Sequence, residues 1–210
     1  MLKRYRLPVL AAVLPLAAAP APAANIVESW NDAKAPPAPT LAPVTVSAAD
    51  TAYLLLDIEQ ATCNPALRPR CVAAVPGMAA FLVRARDARM PVFFSNTGGG
   101  TRATILPAVA PRADEVVVKA SVDKFFGTAL GEGLRARGVK TVIVCGTAAF
   151  GAVLHTATEA AVNGFRVVLP VDCAPGSSLY EEQATVWSLI NGPGTRKALT
   201  ATTLDSIRIE

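Results

Sequence analysis

The 210-residue sequence predicts a single three-layer α/β domain with a mostly parallel sheet of about six strands. Two observations carry that expectation. Short apolar, β-branched runs without polar alternation, such as Tyr53–Leu56 and Thr141–Cys145, are the pattern of strands buried on both faces. These runs alternate with segments of helical spacing. The clearest case is Gly138 to Ala174, where strand Thr141–Cys145, a helical segment with Val153, Ala157 and Ala160 on one face, an Asn163-Gly164 stop and strand Arg166–Val171 make a βαβ unit. A parallel crossover puts the loop Gly146–Gly151 at the carboxyl edge of the sheet, where ligands bind in such folds.

In chain order, Met1–Arg6 carries three basic residues, Leu7–Ala19 is apolar, and Ala21-Pro22-Ala23 reads as a cleavage site. Residues 1–23 are therefore expected to be a secretory signal, which places the mature protein in the periplasm or outside the cell, with no stable membrane insertion after cleavage. Losing those three cations takes the balance from 20 basic against 16 acidic residues to near neutrality, so no nucleic-acid partner follows from the high pI. Residues 24–51 read as an Ala/Pro-rich extended leader and 52–210 as the folded domain.

Strand Tyr53–Leu56 ends in Asp57. The loop CNPALRPRC between Cys63 and Cys71 is expected to be closed by a disulfide in an oxidising compartment. A helix is expected to start near Pro76, with Met78, Phe81, Leu82 and Ala85 on its core face. Strand Val92–Phe94 leads to Ser95-Asn96 and a Thr-Gly-Gly-Gly run, read as a flexible loop because no Gly-Lys-Ser/Thr follows. Strand Val116–Val118 ends in Lys119. A short helix Thr128–Arg137 precedes the βαβ unit, Ser178 and Glu181 form a capping box for a last helix, and Thr203–Ile209 suits a final edge strand. Cys145 and Cys173 are expected to be buried free thiols, with a second bridge as the alternative.

Asp57, Lys119 and the Gly146–Gly151 turn converge on one sheet edge. A carboxylate beside an ammonium, with backbone N–H groups facing an incoming oxyanion, suits acyl- or proton-transfer chemistry. The motifs LLLDIEQ, VVVKASVDKFFGTAL and VIVCGTAAFGAVLHTATEAAVNGFRVVLPVDCA together resemble the isochorismatase-like superfamily, the cysteine hydrolases, over nearly all of Ala52–Ile209. That resemblance implies a doubly wound sheet, a catalytic Asp57 and Lys119, a cis peptide near Thr147-Ala148 and self-association. Thr147, Ala148, Phe150 and Phe125 are the candidate substrate-binding residues.

Ala152 occupies the position of the family's cysteine nucleophile and has no group that attacks a carbonyl. Three functional readings follow. One is an exported hydrolase that acts on a small molecule through Asp57 and Lys119 without a covalent cysteine; Asp57 serves as general acid or as base on a water. Another is a non-catalytic descendant that binds a small ligand or partner. A third is an enzyme whose active form carries Cys at 152. No metal and no cofactor are expected, since the single histidine, His155, has no ligand cluster around it. Lys124 and His155 are expected at the surface or in packing roles, and Asp172 as an anchor for its loop.

Overall fold

The structure, a computed structural model, describes residues 24–210; the expected signal at Met1–Ala23 lies outside the described residues. The described chain contains a short amino-terminal unit ending at Ala38, with one 3-10 turn at Trp30–Asp32, and a compact unit Pro39–Glu210.

Within the compact unit the strands are β1 (Val44–Val46), β2 (Thr51–Leu56), β3 (Val92–Asn96), β4 (Val116–Lys119), β5 (Thr141–Gly146), β6 (Arg166–Pro170), β7 (Leu199–Thr202) and β8 (Ile207–Ile209). The helices are α1 (Pro69–Asp87), α2 (Leu130–Ala136), α3 (Leu154–Val162) and α4 (Leu179–Asn191). Six strands form one sheet in the order β4-β3-β2-β5-β6-β7, and every neighbouring pair is parallel.

The apolar runs are continuous because both faces of the sheet are covered. On β2, Tyr53 and Leu55 enter the core under α1, beside Met78, Phe81 and Leu82. Ala52, Leu54 and Leu56 enter the opposite core with Leu134 of α2, Ala157 of α3 and Leu189 of α4. Period-two geometry thus divides one strand between two cores, and six consecutive buried residues follow.

Three boundaries differ from expectation. The compact unit starts before Ala52: β1 lies in the stretch read as leader and pairs in parallel with β8, Val44 opposite Ile207, in a separate two-stranded sheet. The last edge strand of the main sheet is Leu199–Thr202; within the expected span Thr203–Ile209 only Ile207–Ile209 is a strand, and it pairs with β1 instead. Helix α1 starts at Pro69, with Pro76 inside it; Pro69, at the first turn, is the proline that takes the favoured position.

The order of strands fixes where a site can form. From β2 the chain winds outward to β3 and β4, then returns to β5 on the other side of β2 and winds outward to β6 and β7. The loops after β2 and β5 therefore leave the sheet in opposite directions and open a crevice between them, the topological switch point of a doubly wound sheet.

Candidate active site at the switch point

A cavity of about 610 Å³ lies in that crevice, and its lining includes Asp57, Arg68, Thr147, Ala148, Phe150 and Ala152. Asp57 follows β2 directly, 4 % exposed and with a positive φ of 54°. Asp tolerates this left-handed conformation better than a β-branched residue would. The turn is held from both sides: the Asp57 N–H donates to the Ser95 hydroxyl at 3.2 Å, and the Thr62 hydroxyl donates to the Asp57 carbonyl.

The cation paired with Asp57 is Lys124. Its Nζ lies 2.7 Å from Asp57 Oδ2, while Ser95 Oγ donates to Oδ1 at 2.7 Å. Lys124 is fully buried, and the Ala120 and Ser121 carbonyls take its other two N–H bonds. Lys119, the expected partner, stands exposed at the end of β4 and enters no ion pair among the described residues. The reason is lateral distance. Strand β3 lies between β4 and β2, so the end of β4 is two strand spacings, about 10 Å, from Asp57. The loop after β4 has to carry a cation back across β3, and the lysine five positions further on does so. Its backbone N–H is tied to Thr156 Oγ1 of α3 at 3.3 Å.

Burial pushes the Asp57 carboxyl above the ordinary carboxylate range; the Lys124 ammonium and the Ser95 hydroxyl pull it back only in part, and Glu59 adds a small upward push. The folded chain therefore holds the Asp57 proton more tightly than the unfolded chain. This group's contribution to stability is complete at acid pH and is lost as pH rises through the folded-state value.

Opposite Asp57, Gly146 ends β5 and the Thr147-Ala148 peptide is cis. Thr147 Oγ1 donates to the Pro175 carbonyl at 3.0 Å, and the Ala149 N–H donates to the same oxygen at 3.0 Å. Residues Ala149–Val153 form a π-helical turn that runs into α3, and Ala152 lies in it, 3 % exposed. The Ala148 N–H donates to no backbone or side-chain acceptor among the described residues.

Phe150 is half exposed at the cavity. Phe125 is not part of the lining: its ring packs on Phe165, 5.9 Å between centroids, and belongs to the core under α2 and α3. His155 lines the cavity and is exposed. Asp172 anchors its loop, its carboxylate accepting the Leu204 N–H at 3.0 Å.

All four cysteines are paired. Cys63–Cys71 closes the loop as expected, with Cα atoms 5.4 Å apart. Cys145–Cys173 corrects the expectation of two free thiols. Both residues enter the core under α1, Cys145 from β5 and Cys173 from the 3-10 turn that follows the adjacent β6, and their Cα atoms are 5.1 Å apart, inside the range a disulfide spans. Cys145 is therefore not available as a substitute nucleophile.

Sequence reasoning passed over Glu59 and Arg68. Glu59 is fully buried, yet its carboxyl is held below the usual range: burial works upward, and hydrogen bonds from Thr97, Thr104 and Asn96 outweigh it. These bonds anchor the Thr97–Thr104 segment, which had read as a flexible glycine loop. A Cβ on Gly100 would lie 1.9 Å from Glu59 Oε2, so glycine is required there for close approach. Among the described residues no group of three or more His, Cys, Asp and Glu side chains is placed to hold a metal ion.

A doubly wound sheet with a buried carboxylate–ammonium pair at its switch point defines the class, and comparison with known proteins defines the family. Residues 51–203 match the isochorismatase domain. Maleamate amidohydrolase of Pseudomonas putida is 31% identical over 153 residues, which cover 72% of this chain and 71% of that protein. Among solved structures, a cysteine hydrolase from Pseudomonas syringae pv. phaseolicola superposes with a TM-score of 0.68 at 21% identity, covering 80% of this chain and 95% of that one. N-carbamoylsarcosine amidase of Thermoplasma acidophilum superposes with a TM-score of 0.61 at 20% identity, covering 74% and 97%. The chain belongs to the isochorismatase family of hydrolases.

Proposed function

We propose that this protein hydrolyses a C–N bond of a small amide through Asp57 and Lys124, with a water in place of the family's thiol. The observation that carries this reading is the buried Asp57–Lys124 pair facing a cavity whose opposite wall holds Ala152. The maleamate amidohydrolase relative supports an amide as the bond cleaved.

In this mechanism Asp57 takes a proton from a water as its oxygen attacks the amide carbon. The developing oxyanion is received at the Ala148 N–H, whose hydrogen-bonding capacity is unused. Asp57 then returns the proton to the departing nitrogen, the C–N bond breaks, and carboxylic acid and amine leave. Lys124 spends all three N–H bonds on Asp57 and two carbonyls, so it positions and charge-balances the carboxylate rather than touching substrate. A carboxylate with a raised pKa is a stronger base than a free aspartate. The rate should fall on the acid side through the raised Asp57 value, at higher pH than the ~3.9 of an unperturbed aspartate.

The test is a mass-spectrometric turnover screen over small amides, ureido compounds, esters and isochorismate, run beside Asp57→Asn. The variant is expected to lose about 10²–10⁴-fold in kcat while keeping its circular dichroism. Equal turnover by parent and variant would remove the reading. Ala152 in the cavity wall favours a second one, a binding protein without turnover. Saturable binding with no product from any compound in the panel would establish it.

Export is part of the proposal. Two disulfides in the compact unit support an oxidising compartment. The protein recovered from the periplasmic fraction of a Gram-negative host is expected to begin at Ala24; an intact Met1 on protein confined to the cytoplasm contradicts it.

A further inference from the structure

Thr147 and Ala149 flank the Ala148 N–H that receives the oxyanion in the proposed chemistry, and both bond to a single acceptor, the Pro175 carbonyl, at 3.0 Å each. The position of that N–H therefore depends on what holds Pro175. The Gly176 N–H donates to Glu182 Oε1 at 3.0 Å and the Ser177 N–H to Glu181 Oε2 at 2.6 Å, so the first turn of α4 grips the segment from behind. The fit is close: a Cβ added at Gly176 would lie 2.9 Å from Glu181 Cβ and 2.9 Å from its Oε2.

Glu181 serves only its own loop, whereas Glu182 reaches across 112 residues of sequence. Its carboxylate also accepts two parallel bonds from Arg70, Nε to Oε1 and Nη2 to Oε2, each at 2.6 Å. Arg70 stands in the first turn of α1, which packs on the opposite face of the sheet from α4. Its neighbour Cys71 is bridged to Cys63, and Thr62, next to Cys63, donates its hydroxyl to the Asp57 carbonyl. The pair thus joins the loop after β2, which presents Asp57, to the loop after β5, which presents Ala148, and neither partner lies in the lining of the cavity between them. Two parallel bonds fix an orientation as well as a distance. With Arg70 half exposed, the pair adds little to global stability, so its effect is local geometry.

We propose that the Arg70–Glu182 pair is a clasp that holds the Ala148 N–H in place opposite Asp57, with both members as positioning residues that touch no substrate. The inference rests on the amide-hydrolase reading for the task of the Ala148 N–H, while the closure itself is independent of turnover. Since that N–H meets an oxyanion only in the transition state, loosening the clasp lowers kcat rather than raising KM.

Amide exchange of Ala149, followed by NMR and compared with Val144 inside β5, tests it on the parent, Arg70→Gln, Arg70→Lys and Glu182→Gln. The control is Arg86→Gln, which breaks a second two-bonded arginine–carboxylate pair, with Glu115, at the other end of α1. Arg70→Gln and Glu182→Gln are expected to speed Ala149 exchange about 10-fold relative to Val144, and Arg70→Lys to recover part of the loss as a single point charge. Arg86→Gln is expected to leave the ratio unchanged. For an amide of the panel that the parent consumes, Arg70→Gln should lower kcat about 10-fold and keep KM within about 2-fold. An exchange ratio unmoved in both clasp variants, one moved equally by Arg86→Gln, or a rate loss carried by KM alone overturns the proposal. Should Arg70→Gln not fold, Glu182→Gln, which keeps the side-chain shape, still decides. A moved exchange ratio in a protein that consumes no amide leaves the clasp standing and removes the hydrolase reading alone.

Discussion

Replacing Lys124 with Met is expected to abolish amide turnover and to destabilise the fold by about 3–5 kcal/mol, whereas Lys119→Met should change stability by no more than about 0.5 kcal/mol and leave the rate intact. The contrast follows from burial. Lys124 is fully buried 2.7 Å from Asp57, and removing it leaves a carboxylate in the interior with only the Ser95 hydroxyl to satisfy it. Asp57 is already pushed above its ordinary range with the ammonium present. Without it the largest downward pull is gone, the carboxyl holds its proton to still higher pH, and no base remains near neutrality.

Two measurements check this. Urea unfolding gives the stability loss, and the double variant Asp57→Asn/Lys124→Met should recover part of it because no charge is then left unpaired. The pH–rate profile of any residual activity should show its acid limb displaced upward. A Lys124→Met protein with parental stability and an unmoved acid limb would falsify the assignment of the pair. A large effect at Lys119 instead would return the role to the residue at the strand end.

Which lysine reaches Asp57 shows where a sequence reading stops. The buried strands were legible because β2 and β5 show unbroken apolar runs and the segment between β5 and β6 has helical spacing with an Asn-Gly stop. From those the parallel sheet, the crossover and the position of Asp57 follow. The pairing of Asp57 does not follow, because it depends on sheet order. A lysine at the end of β4 lies next to Asp57 only if β4 adjoins β2, and strand order is a non-local property that β3 decides here.

The same limit explains the other differences. Cys145 and Cys173 are 28 residues apart, and only the adjacency of β5 and β6 brings their Cα atoms to 5.1 Å. Nothing local in the sequence marks Glu59 as buried, because its burial depends on donors from Asn96, Thr97 and Thr104, some forty residues later. Phe125 and Phe150 are alike as letters; one meets Phe165 in the core and the other faces the cavity. Arg68 had a local signal, an arginine inside a cysteine-bracketed loop, but its place in the cavity lining is visible only in three dimensions.

Gly146→Ala is expected to be the most damaging single methyl in the chain, with a stability loss above about 4 kcal/mol and no assembled cavity in the protein that remains. Gly146 stands opposite Leu56 in the parallel pairing of β5 with β2, at φ +143°, a conformation L side chains rarely adopt. A Cβ there would lie 2.2 Å from the Leu56 carbonyl oxygen and 2.6 Å from its Cβ, so the two central strands would have to part. They are held on both sides of the contact. The Thr147 N–H donates to that same Leu56 carbonyl at 3.0 Å, and Cys145 is bridged to Cys173. The strain therefore falls on the step between Asp57 and Ala148, which sets the width of the crevice. Gly151, in the same loop, is the control. Its added Cβ would meet Ala148 and Val122 at 3.8 Å, ordinary contact, and its φ is not positive. Urea unfolding of Gly146→Ala and Gly151→Ala, with amide turnover as the readout of the cavity, separates the two. Equal stability losses in the pair would mean that close strand approach at Gly146 does not shape this site.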